Sequence, residues 1–308
     1  MSLLEFDRAR RILAREGVVG LGRRAARKSF RTVAQLRQIQ AEYERRVTEF
    51  DERTRGMKPS SLPDFYWYHT IDLGDGLVTP GAYDYRDCWS AFGFPEDMTG
   101  MKVLDVGSAT GFFAFEFAKR GARVVSVELP SLGHWDMIWH EREQVLSGLM
   151  EYHNASTPEE AHFRHLEGPF SFCRDRLGLD IERCYSTVYE LTSERLSSRR
   201  FDLIFAGDVL LHLFSPLKAL DVLAPLCEGT LVVTVERLRK SKYNPVMFYL
   251  GNEKRESDRR SWWMPSGACL QDMLERMGFD AVTLAGSYSG VVRRDWHEFH
   301  RDVFHAKK

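Results

Sequence analysis

The residues best suited to chemistry form a glycine-containing stretch that follows a short apolar strand. The stretch reads Val-Leu-Asp-Val-Gly-Ser-Ala-Thr-Gly-Phe-Phe over residues 103–113 and is followed by a helical pattern. Glycines at such a turn let backbone N–H groups and a helix N-terminus come close to a ligand. The predicted ligand contacts in this stretch are Asp105, Gly107, Ser108, Ala109 and Gly111.

A carboxylate at the end of the next predicted strand indicates the kind of ligand. Residues 123–127 form that strand, and Glu128 follows it, seventeen positions after Gly111. Open α/β sheets bind ligands at the carboxyl ends of their strands, so an acid there can accept the ribose hydroxyls of a nucleoside, with Leu129 beside it. A dinucleotide fingerprint would need G-x-G-x-x-G, but Gly107 and Gly111 are four positions apart. A nucleoside site is therefore predicted, and a dinucleotide-dependent oxidoreductase is disfavoured.

The elements around these residues indicate a parallel sheet covered by helices. From residue 102 onward, short apolar strands alternate with helical stretches, which is typical of α/β proteins. Strands are predicted at 102–106, 123–127, 184–188, 201–206, 230–236, 281–285 and 302–306. Helices are predicted at 3–16, 33–50, 111–120, near 134–150, near 158–178 and at 265–277, the last with Ser266 as N-cap.

These motifs resemble the class I S-adenosylmethionine-dependent methyltransferases, whose first motif reads approximately D-x-G-x-G-x-G. Ala109 stands at the middle glycine, a substitution that we expect to cost little as long as the backbone there needs no positive φ. Residues 201–208 resemble the family's fourth strand, which implies that Gly207 and Asp208 border the cofactor.

The resemblance covers about residues 64–308 and implies a fold and a cofactor. The fold is α/β, a doubly wound, seven-stranded, mostly parallel sheet with a terminal antiparallel hairpin, preceded here by an N-terminal helical extension. The cofactor is S-adenosyl-L-methionine. We divide the chain into a basic helical extension, 1–58, and a methyltransferase domain, 59–308, with a precore lid at 64–98 and a helical insertion at about 131–182.

A narrower resemblance concerns three segments, 67–81, 208–216 and 263–266. They are similar to the tRNA wobble-uridine methyltransferases of the 5-methoxyuridine and 5-oxyacetic acid type. In the related enzyme that builds the 5-oxyacetic acid modification, a carboxylated form of S-adenosylmethionine is held by a lysine before the first motif and a tyrosine after the fourth strand. Here no lysine lies between Lys58 and Lys102, and Leu211 occupies the tyrosine position. Ordinary S-adenosylmethionine is therefore expected.

Methyl transfer by in-line attack needs an aligned nucleophile and, for a weakly acidic hydroxyl, a base. The resemblance brings His212 and His69 near the methyl end of the cofactor, so both are candidate catalytic bases. A histidine in an apolar segment of this kind is more often a packing residue, and His69 is the weaker of the two candidates. His162 and His165 have no third ligand at metal spacing, so no metal site is expected.

The charge distribution is uneven although the net charge is −1. Between Arg8 and Arg37 there are ten Lys and Arg residues and one acid, Glu16, which leaves the rest of the chain at −10. A basic arm of this kind contacts phosphate on nucleic acid or a membrane surface, or is a solvated helical face. Further basic loops near the C-terminal half lie at 237–242, 259–260 and 293–294.

Several partners therefore stay open at the level of sequence. The expected reaction is O-methylation, of tRNA wobble uridine by resemblance, or of a glycan or small hydroxylated metabolite. A cofactor-binding protein that only docks on RNA or membrane is the non-enzymatic alternative.

The regularly spaced residues on one face of the predicted helix 33–50 pack either on the body of the protein or on a second copy of the chain. The second arrangement would make a dimer through residues 30–52. The start has no secretory pattern, no membrane span is visible, and the five cysteines form no CxxC pair, so we expect a cytoplasmic protein.

Overall fold

The computed structural model describes residues 31–55, 65–197, 199–238, 244–250, 260–293 and 296–308. The predicted helix 3–16 and most of the basic arm between Arg8 and Arg37 lie outside these residues. Within the described ranges, no helix is long and apolar enough to cross a membrane.

Of the nine strands in the described part of the chain, seven form one sheet, in the order β3-β2-β1-β4-β5-β9-β8. The strands are β1 Lys102–Val106, β2 Arg123–Glu128, β3 Glu182–Tyr185, β4 Phe201–Gly207, β5 Cys227–Glu236, β6 Met247–Tyr249, β7 Trp263–Pro265, β8 Ala281–Val292 and β9 His297–Lys307. Strands β1 to β5 are parallel, and β9 runs antiparallel to both β5 and β8. Strands β6 and β7 form a separate antiparallel pair. The predicted fold class, a mostly parallel seven-stranded sheet with a terminal hairpin, is confirmed.

The helices flank this sheet and cover its faces. They are α1 Val33–Thr54, α2 Phe112–Lys119, α3 Arg142–Tyr152, α4 Pro158–His162, α5 Gly168–Leu177, α6 Pro216–Leu223 and α7 Gly267–Arg276. Successive strand residues point to opposite faces, so Leu104 and Ile204 join one buried cluster while Val103 and Phe205 join the other. Both faces are apolar because both are covered, as expected for a parallel sheet.

The third strand and the final hairpin differ from their predicted limits. Strand β3 spans Glu182–Tyr185 rather than 184–188, because the Ser186 N–H donates to the Glu128 carbonyl and the chain then makes a 3-10 turn at Val188–Glu190. The hairpin strands β8 and β9 are 12 and 11 residues long, about twice the predicted length. Because β3 begins at Glu182, Arg183 lies within the sheet.

Helix α1 packs on the body of the protein. Thr32 begins it with a capping box to Gln35, and the helix continues to Thr54. Near its C-terminal end, Phe50 is buried against Trp67, with ring centroids 5.0 Å apart. One of the two predicted roles of this helix is therefore observed, and a dimer through residues 30–52 stays a prediction.

The segment predicted as a lid lies in the core beside the glycine loop, which we define as residues 107–111. Ile71 and Leu77 are buried, and the His69 N–H donates to Thr110 Oγ1 at 3.1 Å. A 3-10 helix at Arg86–Phe92 follows and leads to β1. The segment therefore contacts the glycine loop, and its predicted role as a lid over the cofactor stays a prediction.

A helical insertion separates β2 from β3, as the sequence predicts. It begins with a 3-10 turn at Leu132–His134, continues through α3 and α4, and reaches α5 by a π-helical turn at Phe163–Glu167. The observed helices agree with the predicted ones near 134–150 and 158–178 to within a few residues, except that α3 starts at Arg142.

Asp84 connects α1, the precore segment and the hairpin. Its carboxylate accepts hydrogen bonds from Arg86 at 2.8 Å, from Arg293 at 2.7 Å and from Arg46 at 3.3 Å. Burial pushes the pKa of Asp84 upward, but the hydrogen bonds from Arg86 and the charge of Arg293 outweigh it, so this pKa lies well below its ordinary value. One carboxylate thus compensates three guanidinium groups.

We predict that Asp84→Asn lowers the free energy of unfolding by about 3 kcal/mol, because it leaves partly buried arginines without their counter-charge. Since the folded-state pKa is depressed, the stabilisation is present above about pH 4 and is lost as the pH falls below the ordinary carboxyl pKa. Asp87→Asn, at an exposed neighbour, is the control and should change stability by less than about 0.5 kcal/mol. Chemical denaturation at pH 7 and pH 3 measures both; equal stabilities of the two variants at pH 7 would refute the assignment.

Candidate active site

The glycine loop between β1 and α2 has three residues in left-handed backbone conformations. Gly107 has a φ of 70°, Ala109 of 48° and Gly111 of 91°. A Cβ at Gly111 would lie 2.7 Å from the rings of Phe115 and Phe170, so only glycine fits there. The condition under which alanine at position 109 would cost little is therefore not met, because the loop turns through Ala109 with a positive φ.

Two hydrogen bonds hold Ala109 in this conformation. Its N–H donates to Glu128 Oε2 at 2.8 Å, and its carbonyl accepts from Arg183 Nη2 at 3.3 Å. A left-handed conformation costs a residue with a Cβ about 1–2 kcal/mol. The hydrogen bonds to the neighbouring carboxylate and guanidinium therefore offset this cost, which a glycine at the same position would not have.

Glu128 ends β2 at the edge of the sheet where the loop lies. It is buried, and its Oε1 accepts from the Leu129 N–H at 2.8 Å. Each carboxylate oxygen thus binds one backbone N–H, and each has a second lone pair for another donor. Glu128 and Leu129 are in the place that the sequence predicts, beside Ala109.

Arg183 lies beneath the loop and was missed by the sequence reasoning. Its side chain is 6% exposed, and its Nη1 donates to Ser108 Oγ at 2.5 Å and to Ser126 Oγ at 2.8 Å. Its Nη2 donates to Glu167 Oε1 at 2.7 Å. This one arginine, on β3, thereby joins the glycine loop, β2 and the insertion. A charged residue inside a strand of a covered sheet would have indicated this role. The predicted strand began at residue 184, however, so Arg183 fell just outside it.

Asp105 lies on β1 below the loop and is 2% exposed. Burial raises the pKa of its carboxyl to about 7, although the charge of Arg183 opposes this shift. A hydrogen bond with the Ala114 backbone connects it to α2, and its Oδ2 has no hydrogen-bond partner. Asp105 thus contacts α2, one of its buried acceptor atoms has no partner, and its predicted contact with the ligand stays a prediction.

The end of β4 lies against the loop. A Cβ on Gly107 would come within 2.8 Å of Val209 Cγ2. Gly207 is needed for a different reason, since a Cβ there would lie 2.3 Å from the Phe205 ring. Asp208 follows with a φ of 54°, and both of its carboxylate oxygens accept from Arg301 Nε, at 2.7 and 2.8 Å. Asp208 therefore borders the site with its charge already paired.

Comparison with protein families identifies the chain. A family model described as a methyltransferase domain matches residues 83–284. The chain belongs to this family. It is an S-adenosylmethionine-dependent methyltransferase, as the first motif implied, while membership of the tRNA wobble-uridine group is not supported.

Several solved structures are similar to this methyltransferase. Magnesium protoporphyrin IX methyltransferase from Synechocystis PCC 6803 with bound S-adenosylhomocysteine has 14% identity, 68% of this chain and 75% of that chain covered, and a TM-score of 0.41. The N-terminal domain of EvdMO1 with S-adenosylhomocysteine and D-fucose has 16% identity, coverages of 84% and 96%, and a TM-score of 0.42. 1,6-Didemethyltoxoflavin-N1-methyltransferase from Burkholderia thailandensis has 14% identity, coverages of 89% and 89%, and a TM-score of 0.43. A comparison with curated proteins gave no match.

The residues of the loop fit the cofactor. The unpartnered, buried Oδ2 of Asp105 would be compensated by the ammonium group of S-adenosylmethionine. The carboxylate of Glu128 has lone pairs for hydroxyl donors, and Gly107 is exposed without a side chain in the way. The cofactor itself supplies the methyl group on a sulfonium; the chain binds and orients it.

His69 supports the loop from the precore segment. Its Nδ1 accepts from the Phe112 N–H at 3.3 Å, at the start of α2. Burial lowers its pKa to about 3, so the ring is neutral at pH 7 and its other nitrogen carries the hydrogen. These contacts disfavour His69 as a base and indicate that it positions the helix N-terminus.

His212 lies in the 3-10 turn Leu210–His212, directly after β4, and is exposed. Its Nδ1 is 2.7 Å from the Arg260 carbonyl oxygen. A carbonyl only accepts, so Nδ1 carries the hydrogen and the lone pair of the neutral ring is on Nε2. Nε2 is therefore the nitrogen that can accept a proton in this tautomer.

The described residues also bear on metal binding and on the surface depressions of the protein. Within the described ranges, no group of three or more His, Cys, Asp or Glu side chains could hold a metal ion. His165 instead pairs with His153 at 2.9 Å. Two surface depressions, of about 380 Å³ beside Trp139 and about 430 Å³ beside Arg200, have no glycine-loop residue in their linings and are not the cofactor site.

We predict that Ala109→Gly raises the free energy of unfolding by about 0.5–1 kcal/mol, because the relief of left-handed strain exceeds the entropy that glycine gains in the unfolded chain. Ala114→Gly, in the regular helix α2, is the matched control and should be destabilising by about 1 kcal/mol or more. Equal destabilisation of both variants in urea titrations would show that residue 109 is unstrained.

Proposed function

We propose that this methyltransferase binds S-adenosylmethionine across the glycine loop and transfers its methyl group to a hydroxyl oxygen. In this proposal Glu128 accepts the ribose hydroxyls, Gly107 faces the amino-acid part, and Asp105 lies near the ammonium group. Asp105, Ser108, Ala109, Gly111 and Leu129 shape the loop or line its edge. The contacts of Glu128 with two backbone N–H groups support its role, because they fix the carboxylate at the open end of the strands.

His212 is the proposed base, and the bond of its Nδ1 to the Arg260 carbonyl is the observation that carries the proposal. Its neighbours at this sheet edge are poorer candidates. Asp208 is paired with Arg301, and burial raises the pKa of Tyr68 and of Tyr83 well above that of a free phenol. His212 also follows Val209, which lies against Gly107, so its position is tied to the loop. A base is needed because a hydroxyl is a weak nucleophile until its proton leaves.

The charges of the described residues favour an uncharged hydroxylated acceptor, a small metabolite or a sugar, over tRNA. Three arginines that the sequence offered as phosphate contacts are paired inside the protein: Arg31 with Glu298, Arg237 with Asp302 and Arg293 with Asp84. A guanidinium already paired with a carboxylate contributes little counterion release on binding a phosphate backbone. The proposal therefore places tRNA second.

Methyl transfer from S-[methyl-³H]adenosylmethionine to bulk tRNA, to monosaccharides and to phenolic compounds tests this function. We expect His212→Asn, which keeps an atom at the Nδ1 position and removes Nε2, to lower kcat by about 10²–10⁴-fold with the affinity for S-adenosylhomocysteine unchanged. Glu128→Gln should do the reverse and weaken that affinity by about 10- to 100-fold, because it removes charge-assisted hydrogen bonds. His134→Asn, at a histidine beyond β2, is the control and should behave as the parent.

Three results would contradict the proposal. Full activity of His212→Asn would show that His212 is not the base. Unchanged affinity of Glu128→Gln for S-adenosylhomocysteine would show that the ribose binds elsewhere. A methyl group found on nitrogen or carbon by mass spectrometry and NMR of the product would exclude O-methylation, and salt-sensitive labelling of tRNA alone would reverse the order of acceptors.

A further inference from the structure

A buried histidine of the insertion has an unpartnered nitrogen next to the proposed cofactor site. His162 is the last residue of α4 and is 7% exposed. Its ring lies near the backbone carbonyl of Leu129, the residue after Glu128. Its Nε2 is buried and has no hydrogen-bond partner. Buried polar atoms are nearly always hydrogen-bonded, so this atom needs an explanation.

The local structure fixes where His162 lies. Thr157 begins α4 by accepting from the Glu160 N–H at 3.1 Å, and Pro158 occupies the first turn. The short helix packs against the 3-10 turn Leu132–His134, which directly follows β2. The end of α4 is therefore held beside the carboxyl end of β2, where Glu128 lies.

The π-helical turn after α4 ties the same face of the insertion to the glycine loop. In a π turn the backbone bonds connect residues five apart, which brings His162 and Glu167 to the same side. Glu167 Oε1 accepts from Arg183, which in turn donates to the Ala109 carbonyl. Burial lowers the pKa of His162, and the charges of Glu167 and Glu128 oppose this shift, in agreement with a position near both carboxylates. Turns of this type are frequent at functional sites.

The chemistry of the ring defines what it can bind. Burial lowers the pKa of His162, so the ring is neutral at pH 7, and a ring nitrogen that faces the Leu129 carbonyl carries the hydrogen because a carbonyl only accepts. The unpartnered Nε2 of the neutral ring is then an acceptor. The carboxylate of Glu128 nearby is also an acceptor. Two neighbouring acceptors are satisfied together by a ligand with two adjacent donors, and the vicinal hydroxyls of a ribose are such a pair.

We propose that His162 Nε2 accepts a hydrogen bond from a ribose hydroxyl of the cofactor, beside Glu128. The inference rests on the proposed position of the ribose at Glu128. The insertion thereby supplies a direct cofactor contact in addition to covering the sheet edge. His162 would select for the complete ribose, since a deoxyribose leaves one of the two acceptors unsatisfied.

Calorimetric titration of the full chain with S-adenosylhomocysteine and with its 2′-deoxy and 3′-deoxy analogues tests this inference. His162→Asn keeps an amide near the Nδ1 position, beside the Leu129 carbonyl, and removes Nε2. We expect it to weaken S-adenosylhomocysteine binding by about 3- to 10-fold, as for the loss of one hydrogen bond, and to leave the affinity for one deoxy analogue unchanged. His162→Gln, whose amide reaches the Nε2 position, should recover most of the loss.

A matched control is His153→Asn, at a histidine of the insertion that is equally buried and pairs with His165. It should leave the affinity unchanged. Equal affinities of His162→Asn and the parent, or an equal loss for all three ligands, would overturn the inference. Glu128→Gln separates the two proposals: if it weakens binding while His162→Asn does not, only the role of His162 is wrong, and if neither weakens binding, the ribose position is wrong.

A second measurement uses the unmodified protein, so its result does not depend on how well a variant folds. In ¹⁵N-histidine-labelled parent protein, the Nε2 resonance of His162 should move when S-adenosylhomocysteine is added, because its lone pair gains a donor. The 3′-deoxy or the 2′-deoxy analogue should fail to move it. A resonance that does not respond to S-adenosylhomocysteine would exclude the contact.

Discussion

The guanidinium of Arg183 donates hydrogen bonds to the glycine loop, to β2 and to the insertion at the same time. Its charge is buried and is compensated by Glu167, so the ion pair holds the insertion to the sheet, and removal of either partner would leave the other charge buried without compensation. From the same side chain, Nη2 reaches the Ala109 carbonyl. The left-handed backbone of the loop, and with it the position of the Ala109 N–H on Glu128, follows from this anchoring.

The methyltransferase site is built from chain segments that are far apart in sequence. The loop and Glu128 provide backbone donors and a carboxylate, and the proposed contributions of His212 and His162 come from the segment after β4 and from the insertion. In each case a second contact fixes the group. His212 is oriented by a carbonyl, and Glu128 by two backbone N–H groups, so little rearrangement is required when the cofactor binds.

Much of this could be predicted from the sequence, because apolar runs and glycine spacing are local signals. They gave the seven strands, the loop and Glu128. The pairing of charges is different, since it depends on register between distant strands: Asp208 faces Arg301 only because β9 inserts beside β5. The strain at Ala109 and the role of Arg183 were missed for the same reason, as both depend on β3, whose limits were shifted. The neutral state of His69 follows from burial that no local pattern reveals.

The affinity of Arg183→Lys for S-adenosylhomocysteine is the most direct measurement of whether the buried arginine shapes the site. Lysine retains the positive charge for Glu167 but not the planar fork that reaches both serines and the Ala109 carbonyl. The account predicts that the variant folds, melts at a lower temperature and binds at least about tenfold more weakly by calorimetry, with Arg174→Lys on α5 as a control that binds normally. A folded Arg183→Lys protein that binds as tightly as the parent would contradict it.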